Sequence, residues 1–262
     1  MKLALIGEKL SHSYSREIHE IFFGLTGTAG SYRLVEVPGP EKLENALRNL
    51  EESGCSGTNI TIPYKIDVLS HVTFKSPEVC RLNAANTIAF TKYGRNAYNT
   101  DYFGFMSSIE KAGINPGEGG WLILGSGGGS RSVEAVLEDM GAPRIYIAST
   151  SKRGEGYLSY SELDGVNGIC GVVNTTPVGM YPDTESSILP EKAFRELKYA
   201  MDLVYNPSRT KFLEYAHNNG CISINGLYML VAQAVKAQEI WNGRTFGEDI
   251  IDAIYSEMEK KI

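Results

Sequence analysis

The sequence predicts an α/β protein of two domains, and three observations carry that prediction. Short apolar runs alternate along the chain with stretches whose apolar residues recur at helical spacing. A glycine-rich turn, Gly125-Ser126-Gly127-Gly128-Gly129-Ser130, lies between one such run and one such helix. The length of 262 residues suits one large domain or two modest ones with a sizeable core.

Taken in order, Lys2–Gly7 reads as a buried first strand. A helix follows from about Arg16, with Ile18, Ile21, Phe22 and Leu25 on one stripe. Residues 32–37 read as a second strand, and residues 41–52 repeat the helical pattern through Leu43, Leu47 and Leu50, with Gly54 as C-terminal cap. A strand over 58–62 puts Asn59 and Thr61 on one face and is stopped by Pro63, which has no N–H for the ladder. Residues 87–90 and the stretch after Gly94 read as a hairpin that ends at Asn99-Thr100-Asp101. A helix then starts near Asp101, with Phe105 and Ile109 inward, and its start makes Asp101 a credible N-cap, the bland alternative to a chemical role. After the break at 115–120, residues 121–124 form a strand. The glycine turn follows, then a helix with Val133, Val136, Leu137 and Met140 on one face, and 144–148 completes a βαβ unit. The change of pattern at Asp101 places a domain boundary near residue 100.

Composition narrows the function classes. Apolar content of 42% and charged content of 21% are ordinary for a soluble globular protein. A net charge of −6 argues against a nucleic-acid partner, which calls for a basic face. No segment reads as a signal peptide, and no apolar run approaches the roughly 20 residues that span a bilayer. Cys55, Cys80, Cys170 and Cys221 are scattered without a Cys-x-x-Cys pair, which fits a reducing cytoplasm, and neither they nor the histidines show metal-ligand spacing.

The most informative stretch is Asn59-Ile60-Thr61-Ile62-Pro63-Tyr64-Lys65. It delivers Lys65 just past a strand's carboxyl end, where open α/β sheets place their ligands. An ammonium there can polarise a carbonyl, and the carboxylate of Asp101 can orient it; alone, Lys65 would read as an ordinary exposed lysine. Ser13 and Ser15, one residue apart where a helix begins, can aim two hydroxyls at one small anion or simply cap the helix. In the turn Gly125-x-Gly127-x-x-Ser130, glycines allow close backbone approach to a pyrophosphate, with Gly128 and Gly129 at the helix end. Ser130 replaces the third glycine of the strict fingerprint. At the tip of the next strand, Ser149-Thr150-Ser151-Lys152-Arg153 has hydroxyls and two cations but no carboxylate, a pattern that favours NADP over NAD. Asn174-x-Thr176-Pro177, Asp202-x-x-Tyr205-x-Pro207-x-x-Thr210 and Gly226-Leu227-x-Met229 each sit at a predicted strand or helix end, and Gln233 flanks a buried helix stripe.

Taken together, and with Ala85-Asn86-Thr87 and Asn99-Thr100-Asp101-x-x-Gly104, these motifs resemble the shikimate dehydrogenase family in the family's own order over nearly the whole chain. The resemblance implies an N-terminal α/β substrate domain over 1–100, a Rossmann-like NADP-binding domain over 101–225, C-terminal helices over 226–262 that return to the first domain, and NADPH-dependent reduction of 3-dehydroshikimate to shikimate in aromatic amino acid biosynthesis. It implies that Ser13 and Ser15 hold the substrate carboxylate. Thr61, Lys65, Asn86, Asp101 and Gln233 would line the ring hydroxyls and reacting carbon, with Tyr205 also on the substrate. Gly125, Gly127, Gly128, Gly129, Ser130, Ser149 to Arg153, Thr176 and Gly226 would serve the cofactor, as monomer or homodimer and without a metal. Three positions depart from the family pattern: Arg16 in place of proline, Tyr102 in place of glycine, and Ser149-Thr150-Ser151 in place of Asn-Arg-Thr. The last moves the reading of the 2′-phosphate to Lys152 or Arg153 and keeps an NAD-dependent quinate/shikimate dehydrogenase as the alternative. A non-catalytic shikimate sensor is the alternative from another class, and it has no need of the Lys65–Asp101 pair.

Overall fold

The computed structural model describes residues 1–262, with the side chain of Asp164 left aside. It divides into two compact units, Met1–Gly104 with Val231–Met258, and Phe105–Leu230 with Glu259–Ile262.

The first unit is built on a six-stranded mixed sheet. Its elements run β1 (Lys2–Gly7), α1 (Ser15–Thr26), β2 (Ser31–Glu36), α2 (Leu43–Glu52), β3 (Gly57–Ile60), β4 (Phe74–Lys75), α3 (Pro77–Leu82), β5 (Thr87–Thr91) and β6 (Gly94–Tyr98), followed by the start of α4 (Thr100–Lys111). The strand order is β2-β1-β3-β5-β6-β4. β1 pairs parallel with both β2 and β3, and β5 runs antiparallel between β3 and β6. The chain therefore leaves β1, β3 and β6 at one end of the sheet's strands and enters β5 there. Leu43, Leu47 and Leu50 of α2 pack with Ile6, Ile60, Tyr64 and Ile88 in a core on one face, as their helical spacing requires.

The second unit is a six-stranded sheet whose recorded pairings are all parallel, in the order β12-β11-β10-β7-β8-β9. Its elements are β7 (Gly120–Leu124), α5 (Gly128–Asp139), β8 (Ile145–Ala148), β9 (Tyr157–Leu158), β10 (Ile169–Asn174), β11 (Tyr199–Asp202), α6 (Lys211–Asn218) and β12 (Ile222–Ile224), and then α7 (Leu227–Asn242) and α8 (Glu248–Glu259) complete the chain. β7 is buried along its whole length, as a central parallel strand covered on both faces must be. The strand order reverses between β7 and β10, the point at which such sheets open a crevice at their carboxyl ends.

One expected boundary shifts, and one alternative reading is set aside. β3 ends at Ile60 rather than 62, so Thr61 lies in the turn after the strand, although its N–H still donates to Ile6 O at 2.9 Å. Asp101 is inside the first turn of α4 and does not cap it. The Asn99 side chain takes the exposed end, accepting from Tyr102 N–H at 3.3 Å, and thereby frees the aspartate for other partners.

Candidate active site

Short connections set the first constellation. After β3, Tyr64 is fully buried and its hydroxyl donates to Val37 O, which pins the turn that carries Lys65. Lys65 O accepts from Ala85 N–H at 2.8 Å, tying that turn to the segment entering β5. Lys65 Nζ then reaches Asp101 Oδ2 at 2.6 Å, with the two side chains 18% and 9% exposed. The other carboxylate oxygen, Oδ1, accepts from Asn86 Nδ2 at 2.9 Å. Asn86 Oδ1 accepts from Thr100 N–H at 2.7 Å, which fixes the amide's orientation. Gln233 Oε1, arriving from α7, lies 3.3 Å from both Asn86 Nδ2 and Thr100 Oγ1. A half-desolvated ion pair of this kind keeps its geometry only because its remaining lone pairs are satisfied. The result is an ammonium held at a defined place with N–H donors to spare, since only one of its three is engaged by the carboxylate.

The serine pair forms after β1. Ser13 Oγ donates to Ser15 Oγ at 3.1 Å, and Ser15 N–H bonds back to Ser13 Oγ at 3.3 Å, just where α1 begins. Below it lies a buried polar layer absent from the sequence reading. Tyr32 donates to Asn59 Oδ1 at 2.7 Å, and Asn59 Nδ2 donates to Asn86 O and Thr87 Oγ1 at 3.1 and 2.9 Å. Burial pushes the Tyr32 phenol well above its ordinary value, and the hydroxyl of Ser15 acts in the opposite direction. His19 stacks on Tyr32 with ring centroids 4.0 Å apart, and burial lowers its imidazole to about 3, so it is neutral near pH 7. Asn59 thus serves as a connector and not as a ligand-facing group. Thr61 is half-buried, with its methyl against Gly7.

In the second unit a cavity of about 420 Å³ opens at the carboxyl ends of β7, β8 and β10, lined by Gly125, Ser126, Ser149, Thr150, Thr176 and Tyr160 among others. Gly125 has φ +100° and a Cβ there would sit 2.8 Å from Thr176 Cγ2, so backbone approach at this wall requires glycine. Gly127 precedes α5, with Gly128 and Gly129 in its first turn. Ser130 turns its hydroxyl inward to Gly127 O at 2.7 Å, leaving the helix N–H groups as the donors available to an anion. At the end of β8, Ser149 Oγ shares a hydrogen bond with Ser126 Oγ at 2.9 Å and accepts from the N–H groups of Ser151 and Lys152. Arg153 folds over this tip, with Nη1 donating to Ser149 O at 3.2 Å and Lys152 O at 2.8 Å. The Lys152 ammonium instead stands over the Tyr157 ring, 5.5 Å from its centroid.

Of the residues singled out from the sequence, Lys65, Asn86, Asp101 and Gln233 meet in one cluster. Ser13 and Ser15 form a pair, and Gly125, Ser149, Thr150 and Thr176 line one cavity. Tyr205 is half-buried in the loop after β11, in the second unit. Gly226 is a packing position, where a Cβ would collide with Leu203 O. Tyr32, His19, Tyr160 and Ile188 went unseen, because each arrives from a segment with no motif of its own. Thr100 stood within a quoted motif but acquires its role only from the contacts of Asn86 and Gln233. Among the described residues, no helix is long and apolar enough to cross a membrane, and no group of three or more acidic, cysteine or histidine side chains is placed to hold a metal ion.

Comparison with known proteins identifies the family. The family model for the shikimate dehydrogenase substrate binding domain matches residues 5–88. A curated relative from Clostridium perfringens (strain 13 / Type A), named shikimate dehydrogenase (NADP(+)), is 40% identical over 269 residues, covering 99% of each chain. Among solved structures, a chorismate mutase/shikimate 5-dehydrogenase fusion protein from Clostridium acetobutylicum superposes with a TM-score of 0.95 at 38% identity, covering 100% of this chain and 98% of that one. The shikimate 5-dehydrogenase of Thermus thermophilus, solved with NADP(H) and shikimate, gives a TM-score of 0.87 at 28% identity, covering 98% of this chain and 99% of that one. A relative 40% identical across 99% of both chains decides the matter, and the chain belongs to the shikimate dehydrogenase family.

Proposed function

We propose that the chain is an oxidoreductase that interconverts 3-dehydroshikimate and shikimate with NADPH and NADP, the step this family supplies to aromatic amino acid biosynthesis. The observation that carries the reading is the Lys65–Asp101 pair, locked by Asn86 and accompanied by Gln233 at one end of the sheet's strands. Bound NADPH supplies the hydride that reduces the substrate carbonyl. The protein's own share is to hold the substrate and manage the charge that develops on its oxygen. The Lys65 ammonium stabilises that oxygen or gives it a proton, and the Asp101 carboxylate holds the ammonium in place. Ser13 and Ser15 take the substrate carboxylate, while Thr61, Asn86, Gln233 and Tyr205 take its hydroxyls.

The second unit fits the cofactor. Its cavity lies at the switch point of a parallel sheet, with a close-approach glycine on one wall and a helix N-terminus beside it. Gly125 to Ser130, Ser149, Thr150, Thr176 and the packing glycine Gly226 make this nucleotide site. No carboxylate lines the cavity, which supports NADP, and of the two cations Arg153 is the one gathered over the strand tip. We take residues 1–100 with the returning helices as the substrate domain and 101–225 as the nucleotide domain. Four free cysteines support a cytoplasmic setting, and a sedimentation measurement separates monomer from homodimer.

Rates measured with shikimate or quinate, each with NADP or NAD, test the reading. Shikimate with NADP should be fastest, whereas a tenfold advantage for NAD or for quinate would replace it with the alternative enzyme. Binding of shikimate without turnover would replace it with the sensor.

A further inference from the structure

Asp202 is a buried carboxylate, 1% exposed, that the reaction does not use. It ends β11, directly opposite Asn174 at the end of β10. Three donors converge on it. Asn174 Nδ2 and Val204 N–H each donate to Oδ1 at 3.0 Å, and Thr210 Oγ1 donates to Oδ2 at 2.6 Å. Asn174 is itself fully buried, and its own oxygen is thereby turned toward the cavity rim. That oxygen accepts from Thr176 N–H at 3.0 Å and from Thr176 Oγ1 at 2.7 Å, while Asn174 Nδ2 also donates to Val178 O at 3.3 Å. Thr176 and Val178 are both walls of the nucleotide cavity. The Thr210 arm leads elsewhere, to the N-terminus of α6, where Thr210 Oγ1 accepts from Leu213 N–H at 3.3 Å.

We propose that Asp202 is a positioning residue for the nucleotide, acting through Asn174 to hold the Thr176–Val178 wall of the cavity in its binding geometry. This rests on the reading of that cavity as the NADP site. In its charged form Asp202 is an acceptor with no donor of its own, and so it meets all three donating neighbours at once. A carboxylate offers about four lone-pair sites, whereas an asparagine would present an N–H₂ to at least one of those donors. Burial raises the Asp202 carboxyl to about 7, and the three donors pull it back toward the charged form that accepts all of them.

Steady-state kinetics on purified full-length variants tests this. Asp202→Asn should raise KM for NADP about tenfold, the effect of losing a hydrogen bond to a charged group, with KM for shikimate within twofold. Asn174→Ser should do the same, and it keeps the test open should Asp202→Asn fail to fold. The double variant should be no worse than Asn174→Ser alone, because both act along one path. Thr210→Val breaks the shortest bond to the same carboxylate but touches no cavity wall. It should lower the melting temperature and leave KM for NADP within twofold. Equal rises in both KM values, additive effects in the double variant, or a KM for NADP that moves as much in Thr210→Val would each overturn the role and leave Asp202 as scaffold. If calorimetry finds no NADP binding by the unsubstituted protein, the nucleotide reading falls and takes this proposal with it. Tight binding there with unchanged KM in Asn174→Ser overturns the role of Asp202 alone.

Discussion

In the first unit, a lysine ammonium is clamped by an aspartate that is clamped by an asparagine, so the cation's position is fixed before any ligand arrives. In the second, the cavity at the ends of β7, β8 and β10 is walled by glycine backbone, serine and threonine hydroxyls and a tyrosine, without a charged side chain among its lining residues. On the function proposed above, the contrast follows from what each ligand brings. A substrate whose carbonyl oxygen gains charge needs a fixed, partly desolvated cation, and an ammonium of that kind is kept at a defined position only by a fully bonded partner. A dinucleotide brings its own charge and its own chemistry, so the protein supplies shape, N–H groups and a helix end. Both regions nevertheless use the same supporting device, a buried side-chain amide that relays a carboxylate's position: Asn86 beside Asp101, and Asn174 beside Asp202.

The comparison is broken or sharpened most forcefully at Lys65. Lys65→Ala should lower kcat for shikimate oxidation by about 10²–10³-fold while shikimate still binds, as expected for a group that acts on developing charge. A turnover near that of the unsubstituted protein would show that the first region is as chemically passive as the second. A smaller loss is expected from Ser15→Ala, which should raise KM for shikimate by about ten- to thirtyfold with little change in kcat, the cost of one hydrogen bond to a carboxylate. A change in kcat with KM intact would move Ser15 out of the anion site.

On the cofactor side, Arg153→Ala should reduce the preference for NADP over NAD about tenfold, judged by the ratio of kcat/KM values. Lys152→Ala should matter less, because its ammonium is drawn over Tyr157. An unchanged ratio in both variants would mean that hydroxyls alone choose the cofactor.

The smallest effect concerns pH and sets the two units against each other. His19 in the first unit is lowered from 6.5 to about 3, so the unfolded chain binds its proton more readily and stability falls as pH drops below about 6.5. Asp202 in the second is raised from 3.8 to about 7, so the folded protein retains a proton that the unfolded chain releases, and stability falls as pH rises from about 4 toward 7. Between those limits the two contributions oppose each other. Urea unfolding at pH 6.5 and 4.5 should therefore show the cost of His19→Gln shrinking at the lower pH, by no more than about 1.4 kcal/mol per pH unit. A cost that grows on acidification would contradict a neutral, buried His19.

Much of this was readable in one dimension. The stripe Leu43, Leu47, Leu50, the buried run at β7 and the turn at Gly125 each obey a local period or a local backbone demand, and such rules need only neighbouring residues. The motif residues Lys65, Asn86, Asp101 and Gln233 were identifiable by type and position. For Asp101 the sequence offered both a helix cap and a partner for Lys65, and the structure takes the second, with partners 36 and 15 residues away. Tyr32, His19 and Tyr160 gave no signal at all, since an isolated aromatic or histidine in a sequence is indistinguishable from ordinary core.

By itself, then, the sequence determined the alternation of strands and helices, the glycine turn, the anion-ready serines and the family, because each of these is written in local spacing or in motif order. Only the tertiary structure decided that Asn86 locks the Lys65–Asp101 pair, that Arg153 rather than Lys152 gathers over the tip of β8, and that Asp202 reaches the cavity wall through Asn174. The physical reason is that a hydrogen bond or ion pair depends on distances of about 3 Å, and sheet order brings residues to that range across separations that no local pattern records.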